Sequence, residues 1–319
     1  MTHAMTAEIP VEEATSGREP YEALLMRLSR QSVAKRYECY RDIDWDAPDN
    51  RVDPADPRWV LLPTDPLGAT AWYKTRPAAE RARMGLYRVA TFMKVGLQFE
   101  NVLSQGLLRF ALSRDEHSPE QRYAYHELIE ESHHSMMFAE FVRRTGFTIP
   151  GLSRGWARLD QIVVELGARF PELFFVFVLG GEDPIDYAQR MALSSRDDWH
   201  PLVKRMTQIH ITEEARHLCF ARAFLREHVP KLSPAKRALL AVAAPGVLRL
   251  TTELMLRPPV EMMREFAIPR EVIEEAFTLN PAYREVTHAS LAKVRALLDE
   301  LGLVTGRTQR VWRALGAAA

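Results

Sequence analysis

The chain of 319 residues is 47% hydrophobic and carries 42 basic against 42 acidic side chains. That balance suits a soluble globular protein with a sizeable core, and it offers no positive field to attract polyanions, so nucleic acid is not an expected partner. The two cysteines, Cys39 and Cys219, are too few for a disulfide framework or a zinc cluster and fit a reducing, cytoplasmic setting.

Residues 1–18 have no basic stretch followed by an apolar one, and read as a disordered lead to a single domain over 19–319. Helical spacing covers 21–40. Residues 42–67 are crowded with proline and aspartate, so 41–76 read as an irregular strap that Trp45, Trp59 and Trp72 pin to the core. From 77 to 229 the apolar period is helical, with breaks near 113–119, 145–153, 194–201 and 229–234, giving four long helices in succession. No period-two alternation is long enough for a substantial sheet. Further helices are expected around 235–257, 269–278 and 281–300, packed outside the bundle or forming an oligomer interface, which points to a homodimer. The apolar stretch 239–256 is broken by Pro245, Arg249 and Glu253, and reads as too short and interrupted to span a membrane.

Two motifs carry chemistry, Glu131-Ser-His-His134 and His210-Ile-Thr-Glu-Glu214-Ala-Arg-His217. A Glu and a His three apart on a helix project from one face, so each pair can grip a metal. One such pair more often marks a solvated face. Two on separate long helices ask for one further Glu from each of the other two helices, the carboxylate-bridged constellation of ferritin-like bundles. Glu100 fits the first place: it interrupts the apolar stripe Leu86, Val89, Met93, Gly96, Leu103, Leu107 and Ala111. An ionised group there needs a cation, a metal or a proton, the bland alternative being a hydrogen-bonded buried Glu. Glu182 follows the apolar run 174–179 and takes the second place, with Glu165, Glu172, Asp183 and Asp186 open as substitutes. Pro184 is expected to kink or bulge that helix.

His210, one turn before Glu214 on the stripe Val203, Met206, His210, Glu214, His217, Ala221 and Phe224, makes a seventh ligand. Glu130 and His133 share a more polar face with Arg122, His126, Glu140 and Arg144, so Glu131 and His134 are preferred. Glu213 reads as a supporting partner or a surface residue, and His126, His200 and His228 as cap, surface or core residues. Register adds a test, because antiparallel helices joined by a short loop level residues equally far from it. Glu100 is 13 residues before Ser113 and Glu131 is 13 after Ser118; Glu182 is 12 before Ser194 and Glu214 is 13 after Pro201. All four elements therefore meet on one plane. Four glutamates and three histidines suit iron or manganese better than zinc, and two iron ions are expected, with manganese possible. The fold expected is all-α, a ferritin-like four-helix bundle with extra N- and C-terminal helices.

With these residues placed, the chain resembles the AurF-like di-iron oxygenases, the p-aminobenzoate N-oxygenase family. The likeness covers most of residues 21–230 and includes Asp42-Ile-Asp-Trp-Asp46, Arg58-Trp59, Leu62-Pro63, Pro66-Leu67-Gly68 and Trp72-Tyr73. It also includes the ordered set Glu100, Glu131-x-x-His134, Glu182 and His210-x-x-x-Glu214-x-x-His217, in which the added histidine is the most specific element. The resemblance implies a di-iron centre that, once reduced, activates dioxygen and transfers oxygen to an aromatic amine, giving hydroxylamino, nitroso or nitro products. Oxygenation or desaturation at carbon is the alternative among enzymes, and a non-catalytic ferritin-like metal or ligand-binding protein the alternative outside them.

Met93, Gly96, Leu97, Leu103 and Leu107 are expected to line an apolar substrate pocket, Gly96 either leaving space for a ring or permitting close helix packing. No basic residue shares that face, so a carboxylated substrate finds no counter-ion on this helix. The sequence has neither a glycine-rich dinucleotide fingerprint nor a cysteine cluster, so an external electron donor is expected.

Overall fold

A computed structural model describes residues 19–152, 156–195, 198–306 and 308–314; the expected disordered lead lies outside the described residues. The described residues are helical, with no strand among them. In chain order they form α1 (Tyr21–Ala34), a strap holding the short α2 (Ala71–Lys74), then α3 (Ala78–Leu112), α4 (Pro119–Thr145), α5 (Trp156–Arg169), α6 (Pro171–Ser195) and α7 (Pro201–His228). There follow α8 (Pro234–Leu256), α9 (Val260–Glu265), α10 (Arg270–Phe277), α11 (Pro281–Ser290), α12 (Ala292–Glu300) and α13 (Gln309–Ala314). Helices α3, α4, α6 and α7 make the all-α, ferritin-like bundle.

Proline chemistry explains where these elements begin and where they depart from expectation. Ser118 caps α4 by accepting the backbone N–H of Gln121 at 3.2 Å, with Pro119 in the first position. The third long helix is instead two, because Pro171 lacks an N–H and disfavours helical geometry in Phe170 before it. Pro184, where a kink or bulge is expected, lies inside α6, which continues through it as one helix wedged between α7 and α8, so that packing outweighs one missing ladder bond. Helix α1 ends at Ala34, short of the 21–40 expected, where the chain turns so that the N–H of Tyr37 reaches Glu213. The stretch 281–300 likewise divides, at Leu291.

Helix α8 also runs unbroken through its proline, Pro245. By length and composition alone the wider span Pro234–Glu265, with a mean hydropathy of 1.5 in its most apolar 18 residues, would suffice to cross a membrane, as a core helix of this kind also does. Of that window, 44% is buried, and Leu248 and Thr251 press on Gly180 of α6. In the strap, Trp45 and Trp59 are buried as pins, their indole N–H groups donating to the carbonyls of Cys39 and Asp53 at 2.8 Å each, whereas Trp72 stays half-buried.

The core is two apolar clusters rather than one. Toward the strap lie Met84, Met93, Phe138, Phe141, Val203 and Ile209; toward the α3–α4 turn lie Phe99, Leu103, Leu107, Phe110, Phe175 and Phe220. Between them α6 approaches α3 without a side chain at Gly181, where a Cβ would fall 2.1 Å from Cζ of Phe99. That close approach carries the next residue, Glu182, into the bundle. Gly181→Ala overpacks the contact and is expected to cost about 1–3 kcal/mol, measured as a lower urea midpoint at unchanged m-value.

Candidate metal centre

The level between the two clusters is polar. Helix α3 contributes Glu100, α4 Glu131 and His134, α6 Glu182, and α7 His210, Glu214 and His217, each at most 1% exposed. The structure brings all seven together. His134 Nδ1 lies 2.9 Å from Glu131 Oε2 and 3.4 Å from Glu214 Oε1, and His217 Nδ1 lies 3.0 Å from an oxygen of each. His210 Nε2 points at Glu100 Oε1 from 3.5 Å. Of the alternatives to Glu182, Glu165 pairs with Arg109, Asp183 with Arg222 and Asp186 with Arg190, while Glu172 stands in the first turn of α6. Glu182 instead has both carboxylate oxygens buried with no hydrogen-bond partner, facing Glu214 and Glu131.

Each histidine is held by its far nitrogen, which turns the near one toward the carboxylates of the chamber. His134 Nε2–H donates to Glu213 Oε2 at 3.0 Å, and His217 Nε2–H to Glu130 Oε2 at 2.7 Å. His210 Nδ1–H donates to Gln189 Oε1 at 3.0 Å, and its Nε2 is buried without a partner. One guanidinium serves both supporting carboxylates: Arg216 Nη2 is 2.7 Å from Glu130 Oε1 and 3.8 Å from Glu213 Oε1. Its remaining donors reach Ser32 Oγ and the carbonyl of Lys35, and Glu213 also accepts the N–H of Tyr37 at 3.0 Å. Helix α1 and the start of the strap are thereby fastened to the centre.

Charge explains what such a chamber must hold. Burial raises the carboxyl pKa values of Glu100, Glu182 and Glu214, and their mutual repulsion raises them further. Burial works the same way on Glu131, but His217 and His134 outweigh it and hold that carboxyl well below its usual value. Burial depresses the imidazole of His134, yet bonds to Glu131 and Glu213 lift it to about 10. His217 is likewise raised, by Glu214 and Glu131, whereas burial and the charge of His134 push His210 down. The protein's own charges thus balance the chamber only with protons on several of these groups. Two divalent ions would balance four carboxylates directly and displace those protons. The orphaned atoms, Glu100 Oε2, Glu214 Oε2, both oxygens of Glu182 and His210 Nε2, are the donors such ions require, so the residues fit a pair of transition metals.

The expected pocket residues do not share one wall. Met93 and the half-buried Leu97 belong to the cluster on the strap side, while Leu103 and Leu107 belong to the opposite one. Gly96 leaves no room for a ring from outside, because Phe138 already fills the notch: a Cβ would meet its Cε2 at 3.2 Å. Phe138 also lies against His210 and His134, with ring centroids 5.5 and 6.4 Å apart, and closes that side of the chamber. A cleft of about 690 Å³ opens instead among the end of α8, α9 and α10, floored by Val95 and Leu152 and lined by none of the seven side chains.

Glu127 and Gln189 are functional neighbours for which the sequence raised no expectation, and Glu130 is one it set aside in favour of Glu131. Glu130 is fully buried under Arg216, on the face read as the more polar one, and Glu127 is buried one turn before Glu131. A glutamate four residues before another on the same stripe was the available signal for Glu127. Glu213 proves to be the supporting partner, and His200 and His228 are structural, stacked on Trp59 and Phe224.

Carboxylates and histidines from four antiparallel helices, each imidazole braced from behind, define a ferritin-like carboxylate–histidine centre. Residues 18–302 match the family model described as p-aminobenzoate N-oxygenase AurF, and the chain belongs to that family, which places it among di-iron oxygenases. It is similar to uncharacterized proteins of Mycobacterium tuberculosis (strains CDC 1551 / Oshkosh and H37Rv) and Mycobacterium bovis, 38% identical over 293 residues, covering 92% of this chain and 86% of each relative. No solved structure matches it significantly.

Among the described residues Arg216 is the one guanidinium paired with Glu130 and Glu213, so removing it leaves these two buried carboxylates to His217 and His134 alone. Arg216→Met is expected to lower unfolding free energy by about 3–5 kcal/mol, measured by urea denaturation, with Ser32→Ala as the mild control.

Proposed function

We propose that the chain holds two iron ions through Glu100, Glu131, His134, Glu182, His210, Glu214 and His217, and uses them with dioxygen to oxygenate the nitrogen of an aromatic amine. The observation that carries this reading is the convergence of seven buried side chains from four helices with their free donor atoms on one chamber. When bound and reduced, the metal pair supplies the activation of dioxygen. The residues supply the rest. Glu213, Glu130 and Gln189 fix which imidazole nitrogen is available. The two apolar clusters and Phe138 keep bulk water from the chamber, which strengthens every charge interaction inside it.

Substrate polarity follows from the cations nearby. Arg216 is committed to Glu130, and no other Lys or Arg forms an ion pair with the seven side chains among the described residues. A neutral arylamine therefore suits the centre better than an aminobenzoate. An external donor must provide the electrons. The free thiols Cys39 and Cys219 are compatible with a reducing cytoplasm. A homodimer is supported by Leu239, Val242 and Leu250, exposed along α8; sedimentation of the purified protein as a monomer would contradict it.

The decisive experiment couples metal analysis to turnover. Purified protein is expected to contain iron near two ions per chain, with manganese as the alternative metal, and the reduced protein given dioxygen and an arylamine panel should yield hydroxylamino or nitro products. Oxygenation of an alkyl substrate with no product at nitrogen would shift the reading to carbon chemistry. Metal uptake with no oxygenated product would leave a binding protein.

A further inference from the structure

Glu127 is not needed by the chemistry above, yet it is placed as if it were. It stands on α4 one turn before Glu131, is 1% exposed, and its Oε2 is buried with no hydrogen-bond partner. No Lys or Arg pairs with it among the described residues, unlike Glu130 on the same helix, which Arg216 holds. A buried carboxylate without a bonded cation is costly, and leaving one oxygen unbonded adds to that cost.

What surrounds it is a set of metal donors. One ligating atom from each of Glu127, Glu131 and His217 lies within 4.8 Å of the others, and a separate group so defined joins Glu100, His134, His210 and Glu214. Donors about 2.1 Å from one ion lie up to about 4.2 Å apart, so each group is nearly the size of one coordination sphere. The chamber therefore has two unequal halves. The half with Glu100, His134, His210 and Glu214 has two carboxylates and two imidazoles, whereas the other, without Glu127, has only Glu131 and His217, one of each. Glu182 belongs to neither compact group.

Resting on the two-ion reading above, we infer that Glu127 is an eighth protein ligand, supplying its carboxylate to the ion gripped by Glu131 and His217. The two ions then differ in their protein donors. The ion on the Glu127 side loses a carboxylate whenever that residue is neutralised, while the ion on the His210 side keeps its full set.

Manganese(II) titration of the whole chain, read by electron paramagnetic resonance, tests this without turnover. Wild type is expected to bind two ions and give an exchange-coupled signal. Glu127→Gln, which keeps shape and removes charge, should weaken one ion by about tenfold or more, leave the other unchanged and replace the coupled signal with that of an isolated ion. Glu127→Asp should fall between them. Tyr123→Phe, one turn farther along the same buried column, should match wild type and report any general loosening of α4. Two ions bound by Glu127→Gln with wild-type affinity and coupling would overturn the inference while leaving the two-ion centre standing. Fewer than two ions in wild type would overturn both.

Discussion

Desolvated carboxylate repulsion is the constraint from which the rest of this molecule follows. Glu100, Glu131, Glu182 and Glu214 meet in a chamber closed above and below by apolar side chains, where like charges a few ångströms apart cannot all stay ionised without cations among them. The bundle tolerates such a layer because it is thin: one or two turns of each helix are polar inside, and packing of the two flanking clusters offsets its cost. The same division explains why α3 is so long, since it must contribute to both clusters and cross the polar level between them.

The second organising feature is the bracing behind the imidazoles. Glu213 and Glu130 meet on a single guanidinium, and that guanidinium also bonds the end of α1. An element that looks like an N-terminal appendage is thus part of the centre's support, and the strap that follows it begins at the backbone N–H given to Glu213. This ties the geometry of the carboxylate–histidine chamber to the docking of α1, through charges whose separation would leave two buried carboxylates facing each other.

Most of the centre was legible in the chain because its spacing is local. Glu131 with His134, Glu214 with His217, and His210 a turn before Glu214 are set by the helical repeat alone, and the equal distances of Glu100 and Glu131 from the α3–α4 turn place them on one level. Glu130 was misread for a nonlocal reason. On an isolated bundle its face would meet water, but α1 lies over α4 and buries it. Gly96 was ambiguous for a related reason: an absent side chain signals space, and whether a ligand or Phe138 takes that space depends on the neighbouring helix.

Composition, periodicity and motif spacing pointed to an all-helical protein and to the seven side chains that meet in the chamber, because each of those properties depends on residues within a turn or two of one another. Other properties came from contacts between segments far apart in the chain. They include the break at Phe170, the unbroken passage of α6 through Pro184, the split of the core into two clusters, the closure by Phe138 and the burial of Glu127 beside Glu131 and His217. Those outcomes turn on which helix lies against which face, and a one-dimensional pattern carries the face but not its neighbour.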